Sequence, residues 1–202
     1  MDTNKHESLT GMQSAFTLIE LLVVIAIIAI LLGLLFSVGP GVLDRARKVQ
    51  AKNDLTQIVT AVNAYYTEYG KYPIATDDSV LSNTGDLFYT LRAIASGTAN
   101  NNNAANTRQI VFISPAADTS QTSPKGKIGS DGQFYDSWGT AYKIAIDGTY
   151  DNQIANPYGN NNGAGADPVR QGVIAWSYGK DTKLGKDGDA KFTNSDDVIS
   201  WQ

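Results

Sequence analysis

The feature that most constrains this chain is an apolar run near its N-terminus, "FTLIELLVVIAIIAILLGLLF", from Phe16 to Phe36. It holds 21 residues and a single charge, Glu20. At about 1.5 Å per residue, a helix of that length covers roughly 30 Å, the thickness of a hydrocarbon core. The run is too long for a secretory signal peptide and no A-x-A site follows it, so it reads as a membrane anchor. Roughly 160 residues remain, enough for one modest domain with its own core. Glu20 is the anomaly. A carboxylate at the centre of a span costs about 2.5–3.5 kcal/mol, less towards an end, and its presence signals a partner.

The residue inventory excludes several chemistries. There is no cysteine, which rules out disulfides, thiol catalysis and Cys-based zinc sites. The one histidine, His6, lies in the polar N-terminal tail, so the body has neither a Ser-His-Asp triad nor a His-ligated metal. Net charge is −4, with Lys and Arg interspersed among the acids, unlike the clustered basic face of a nucleic-acid binder. Carboxylates are plentiful, but nothing in the sequence places two of them across a cleft as a glycosidase requires.

Beyond the run, Gly39-Pro40-Gly41 predicts a kink or a melted turn. Val42, Ala46, Val49, Leu55, Ile58, Val59, Val62, Tyr65, Tyr66 and Tyr69 recur in steps of three and four, predicting an amphipathic helix with one core-facing stripe. Gly70 and Pro73 end it. Leu87, Leu91 and Ile94 predict a short second helix stopped by Gly97. "TANNNNAANT" (98–107) and "NPYGNNNGAGADP" (156–168) read as loose polar loops. Strands are predicted at "RQIVFIS" (108–114), around Tyr142, Ile144 and Ile146, and at "GVIAWSYG" (172–179). The expected fold class is α+β: a long N-terminal hydrophobic helix packed through its C-terminal half on a small antiparallel sheet of about three strands.

The C-terminal stretch "SYGKDTKLGKDGDAKFTNSDDVISW" crowds Asp181, Asp187, Asp189, Asp196 and Asp197 into one loop. Carboxylates this dense repel unless they are solvated or share a cation, and hard oxygen donors on a flexible loop suit Ca²⁺. The spacing is not that of an EF-hand. The competing reading is a solvated loop of Asx-type turns neutralised by Lys180, Lys183, Lys186 and Lys191.

Four stretches carry a family resemblance. "AFTLIELLVVIAIIAILLGLL" resembles the processing site and stem helix of type IV pilins and type II secretion pseudopilins. "YYTEYGKYPI" resembles the passage from pseudopilin helix to head. "DSWGTAY" is similar to the entry to the C-terminal sheet of the major pseudopilin, and the acidic stretch is similar to that protein's calcium loop. The resemblance implies a leader, 1–15, removed by a prepilin peptidase between Ala15 and Phe16, followed by N-methylation of Phe16. It implies a transmembrane and filament-core helix over 16–38, its amphipathic continuation over 39–72, and a periplasmic head over 73–202. Glu20 becomes the fifth mature residue, placed to meet the α-amino group of a neighbouring Phe16. Asp181, Asp196 and Asp197 match the calcium-bearing carboxylates, a backbone oxygen near Leu184 completes the shell, and Asp187 and Asp189 fall in a longer insertion.

The implied function is structural and non-enzymatic: a pseudopilus subunit that forms a homo-polymer with other pseudopilins, drawn from the inner membrane by an assembly platform to drive protein export. A type IV pilus subunit and a membrane-anchored extracytoplasmic binding module are the alternatives. Two departures stand out. Ala15 occupies the position where the family has Gly, and Arg45, Arg47, Lys48 and Lys52 follow the run although charge asymmetry alone would keep such a body cytoplasmic.

Overall fold

The computed structural model describes residues 16–202, without the side chains of 35–40. The expected leader, with Ala15, lies outside the described residues. The chain divides into two compact units, Met1–Leu43 and Asp44–Gln202. One helix, α1 (Leu18–Tyr69), contributes to both.

In the first unit every side chain of α1 from Leu18 to Leu34 is exposed, including the large apolar ones. Among the described residues no helix is long and apolar enough to cross a membrane, which departs from the expected span. The predicted melted turn is also not formed, because α1 continues through 39–41.

In the second unit the core stripe of α1 begins later than the periodicity predicted. Ala51, Leu55, Ile58, Val62 and Tyr65 are buried, whereas Val49 is 68% exposed and Tyr66 partly so. The steps of four, three, four and three put these five on one face. Gly70 ends the helix at φ 66°, donating its N–H to the Tyr66 carbonyl at 2.8 Å, in the left-handed conformation that glycine adopts without penalty.

The sheet is antiparallel in the order β1 (Lys143–Ile146), β2 (Val173–Ser177), β3 (Val198–Ile199). Ile144 faces Ala175 and Trp176 faces Ile199 across the ladders. Alternation divides the strand residues between two cores. Ile144, Ile146, Val173, Ala175 and Val198 join the α1 stripe and α2 (Gly85–Leu91) in one. Ala145, Ile174, Trp176 and Ile199 point into the other, with Tyr158, Ala164, Leu184, Phe192 and Trp201. The sheet is thus covered on both faces, by helices on one and by long loops on the other.

Three expectations change accordingly. The strand predicted at 108–114 is not formed. Gln109 has φ 53°, and the Phe112 and Ile113 amides both donate to the Leu91 carbonyl, laying the segment on the end of α2 instead of on a sheet edge. The third strand is β3, only two residues long, inside what read as the acidic loop. The Asn-rich loops are built in: Asn100 and Asn106 are fully buried. The Asn100 side-chain amide donates to the Ile94 carbonyl at 2.8 Å, and that of Asn106 to the Thr90 and Ile110 carbonyls at 2.8 and 2.7 Å. These side chains replace the backbone ladder that the segment lacks, as buried polar groups require.

Two buried acids tie the layers together. The Tyr142 hydroxyl donates to Asp54 Oδ2 at 2.8 Å, joining the segment before β1 to α1. Asp136 Oδ1 accepts from the amides of Trp138, Gly139 and Thr140, and its Oδ2 from the Ser177 hydroxyl at 2.5 Å. Burial raises the pKa of both carboxyls above the usual range. A raised carboxyl pKa contributes stability that is fully present below the unfolded value and lost as pH rises through the folded one. Asp54→Asn keeps an acceptor for Tyr142 without a buried charge. Its melting temperature is expected to fall less than the parent's between acid and neutral pH; a parallel fall in the two proteins would contradict the assignment.

Candidate functional site

The N-terminal site is built by the first turn of α1. Thr17 precedes the helix and Glu20 is its third residue. The Thr17 amide and hydroxyl donate to Glu20 Oε2 at 2.8 and 2.7 Å, and the Glu20 amide donates to Thr17 Oγ1 at 3.3 Å. This reciprocal pair is a capping box, which satisfies two otherwise unpaired backbone donors. A carboxylate here also faces the positive end of the helix dipole. Phe16 lies before the cap and is 78% exposed. The pattern T-x-x-E is legible in the sequence at 17–20, inside the apolar run. The charge therefore has a first partner within its own chain. Both hydrogen bonds to the carboxylate reach Oε2, which leaves Oε1 without one among the described residues.

The second site lies on the loop-covered side of the sheet. Carboxylate oxygens of Asp181, Asp196 and Asp197 lie within 4.8 Å of one another. Asp197 directly precedes β3 and is 5% exposed. Its Oδ2 accepts from the Tyr158 hydroxyl at 2.6 Å and the Gly185 amide at 2.7 Å. Its Oδ1 is buried with no hydrogen-bond partner among the described residues. Asp196 Oδ2 accepts from the amides of Lys180 and, at 3.0 Å, Asp181. Asp181 accepts from the amides of Lys183 and Asp187, both at 2.9 Å.

The remaining expected ligands are placed differently. Asp187 reaches the cluster through its backbone amide, and its carboxylate is not among the three that converge. Asp189 Oδ1 caps a turn through the amides of Lys186 and Lys191 at 3.0 and 2.9 Å. The Leu184 carbonyl accepts from the Ala190 amide at 3.2 Å. Tyr158, which anchors Asp197, was not singled out from the sequence, because nothing in "NPYG" marks a partner 39 positions away.

The electrostatics favour a cation. Burial pushes the Asp197 carboxyl up to about 6, against the pull of Tyr158 and Gly185, and the charges of Asp196 and Asp181 add to the rise. Among the described residues no lysine pairs with the three carboxylates. The Lys180 ammonium instead lies 3.6 Å from Asp44. An orphaned buried carboxylate oxygen beside two more carboxylates is a donor set suited to a hard divalent ion. Gly179 belongs to the same arrangement. At φ 66° it passes so close to Asp196 that an added Cβ would meet the Asp196 carbonyl oxygen at 2.5 Å. A second acidic group, Asp78, Asp147 and Asp151, also converges. Its members accept from the amides or hydroxyls of Thr149, Asp151, Asn152 and Gln153, which accounts for it as turn structure.

Residues 11–36 match the family model of the prokaryotic N-terminal methylation motif. No curated protein and no solved structure matches the chain. The matched segment contains Phe16, Thr17 and Glu20, and it supports a type IV pilin-like, membrane-anchored and filament-forming protein.

Proposed function

We propose that this chain is a structural, non-catalytic subunit of a type II secretion pseudopilus. It is stored in the inner membrane by the stem, with its body in the periplasm, and polymerised with further copies and with other pseudopilins by an inner-membrane platform. Cleavage between Ala15 and Phe16 by a prepilin peptidase, followed by methylation, supplies the mature N-terminus. The observation that carries the reading is the first turn of α1, where a methylation motif coincides with a carboxylate that has one engaged and one open oxygen. In the separate subunit the capping box makes Glu20 tolerable. In the polymer, Oε1 is free to accept a neighbour's Phe16 ammonium, and burying the two charges is tolerable only as a pair. The exposed apolar side chains of 18–34 supply the packing surface, and heterologous contacts that do not close give a filament.

The acidic site favours a secretion pseudopilin over a pilus subunit. Asp181, Asp196 and Asp197 would hold Ca²⁺, with the buried Asp197 Oδ1 as the oxygen most in need of it. The ion supplies positive charge where three carboxylates converge. The chain supplies the framework: Tyr158 and Gly185 fix Asp197, the amides of Lys180 and Asp181 fix Asp196, and Gly179 leaves room for both.

Glu20→Val should insert into membranes and fail to polymerise, whereas Thr17→Val, which removes only part of the cap, costs about 0.5–2 kcal/mol of helix stability and still forms filaments. Electron microscopy of sheared fractions reads both, and normal filaments from Glu20→Val would refute the pairing. For the metal, calcium at about 100 times its Kd adds about 2.7 kcal/mol, a rise of roughly 5–10 °C in melting temperature for a domain of this size. Chelator should remove that rise from the parent, and both Gly179→Ala and the Asp196→Ala/Asp197→Ala pair should lack it. A parent whose melting ignores chelator has no such site.

A further inference from the structure

Along one face of α1, Arg45, Lys48, Val49 and Lys52 occupy positions i, i+3, i+4 and i+7, so their side chains form a single stripe. They hold three of the 16 Lys and Arg residues of a chain whose net charge is −4. The local sign therefore opposes the global one. Among the described residues neither Arg45 nor Lys48 has an ion-pair or hydrogen-bond partner. Arg47, off the stripe, pairs with Asp44 at 3.7 Å. Lys52 donates to the Ile199 carbonyl at 2.8 Å and to the main-chain oxygen of Gln202, which fixes its ammonium at the end of β3.

The stripe borders a concave surface lined by Lys48, Val49, Lys52, Phe192, Val198 and Ile199, among others. Asp197 is the one acid among the residues lining it, and its Oδ2 is turned to Tyr158 and Gly185. An apolar groove rimmed by ammonium groups matches an amphiphile with an anionic head. The position on the helix specifies the source. Side chains on a helix lean towards its N-terminus, and Lys and Arg extend their charges along apolar surface to reach an interface. In α1 that direction is towards the apolar run, which ends nine residues before Arg45.

We infer that Arg45, Lys48 and Lys52, with the groove beside them, form a docking site for anionic phospholipid headgroups. Resting on the anchored reading above, the site would bind headgroups while the subunit is stored. Release from it would be part of each extraction step. An acidic protein surface is the competing occupant, disfavoured by the apolar walls of the groove.

Native mass spectrometry of the full chain in detergent, offered phosphatidylglycerol or phosphatidylcholine, tests the assignment. The parent should retain phosphatidylglycerol preferentially. Arg45→Gln and Lys48→Gln should each lower that retention about fivefold, the equivalent of about 1 kcal/mol per cation near a lipid surface. High salt should do the same. Both positions lie outside the buried core, so unchanged melting identifies folded variants. Equal retention of the two lipids, or retention insensitive to both substitutions, overturns the site. Protection of Lys48 from amine-reactive label in native membranes, lost after protease treatment and absent from phosphatidylglycerol vesicles, would assign the stripe to a protein and overturn it equally. Flotation with phosphatidylcholine vesicles separates this inference from the anchored reading: a chain that does not float defeats the anchor, while one that floats without headgroup preference defeats only the docking site.

Discussion

A sheet of three short strands with two apolar faces must find two covers, and the rest of the body follows from how it finds them. One cover is conventional. The stripe from Ala51 to Tyr65 lies on Ile144, Ile146, Val173 and Ala175, and the Asp54–Tyr142 bond ties helix to sheet. The other cover has no helix. Ile174, Trp176 and Ile199 are shielded by Tyr158, Phe192, Leu184 and Trp201, which hang from long polar loops. Loops with so few apolar anchors need polar ones. The Trp201 indole N–H donates to the Ala164 carbonyl at 2.7 Å, and the Tyr158 hydroxyl donates to Asp197. The candidate metal site is the crossing point of this second layer, because Asp197 joins the Tyr158 loop, the Gly185 turn and β3. A cation there would hold the weaker of the two covers.

The same economy governs the other end of the molecule. Glu20 looks anomalous when the apolar run is read as hydrocarbon alone. Read with Thr17, it closes the first turn of a helix that has four backbone donors to satisfy. Cap and proposed assembly contact are compatible because a carboxylate has two oxygens. The cap engages Oε2, and Oε1 has no hydrogen bond among the described residues. This arrangement explains why a charge can be retained in the stem without destabilising the separate subunit.

Legibility in the sequence tracked the range of the interactions. Helical spacing at 55–65, alternation at 142–146 and the apolar run at 173–176 were readable because such local patterns report burial. The acidic convergence was half readable. Asp196 and Asp197 adjoin, but spacing alone does not bring Asp181 to them; the resemblance grouped these three, and in the fold their carboxylates converge while those of Asp187 and Asp189 do not join them. Composition misled in the Asn-rich loops, where polar residues serve as internal hydrogen-bonding groups in place of backbone ladders. It misled again at 108–114, whose apolar residues pack on the end of α2, with Gln109 in a conformation that a strand does not use. β3 escaped because two residues are too few to show a period.

Maturation at Phe16 would make the Thr17–Glu20 cap the first turn of the working subunit and free the amine that Glu20 is proposed to meet. The most direct measurement is the N-terminal mass of the protein isolated from its native membrane. A chain beginning with N-methylated Phe16 is the predicted result; a chain still carrying Met1 and residues 1–15 would contradict it.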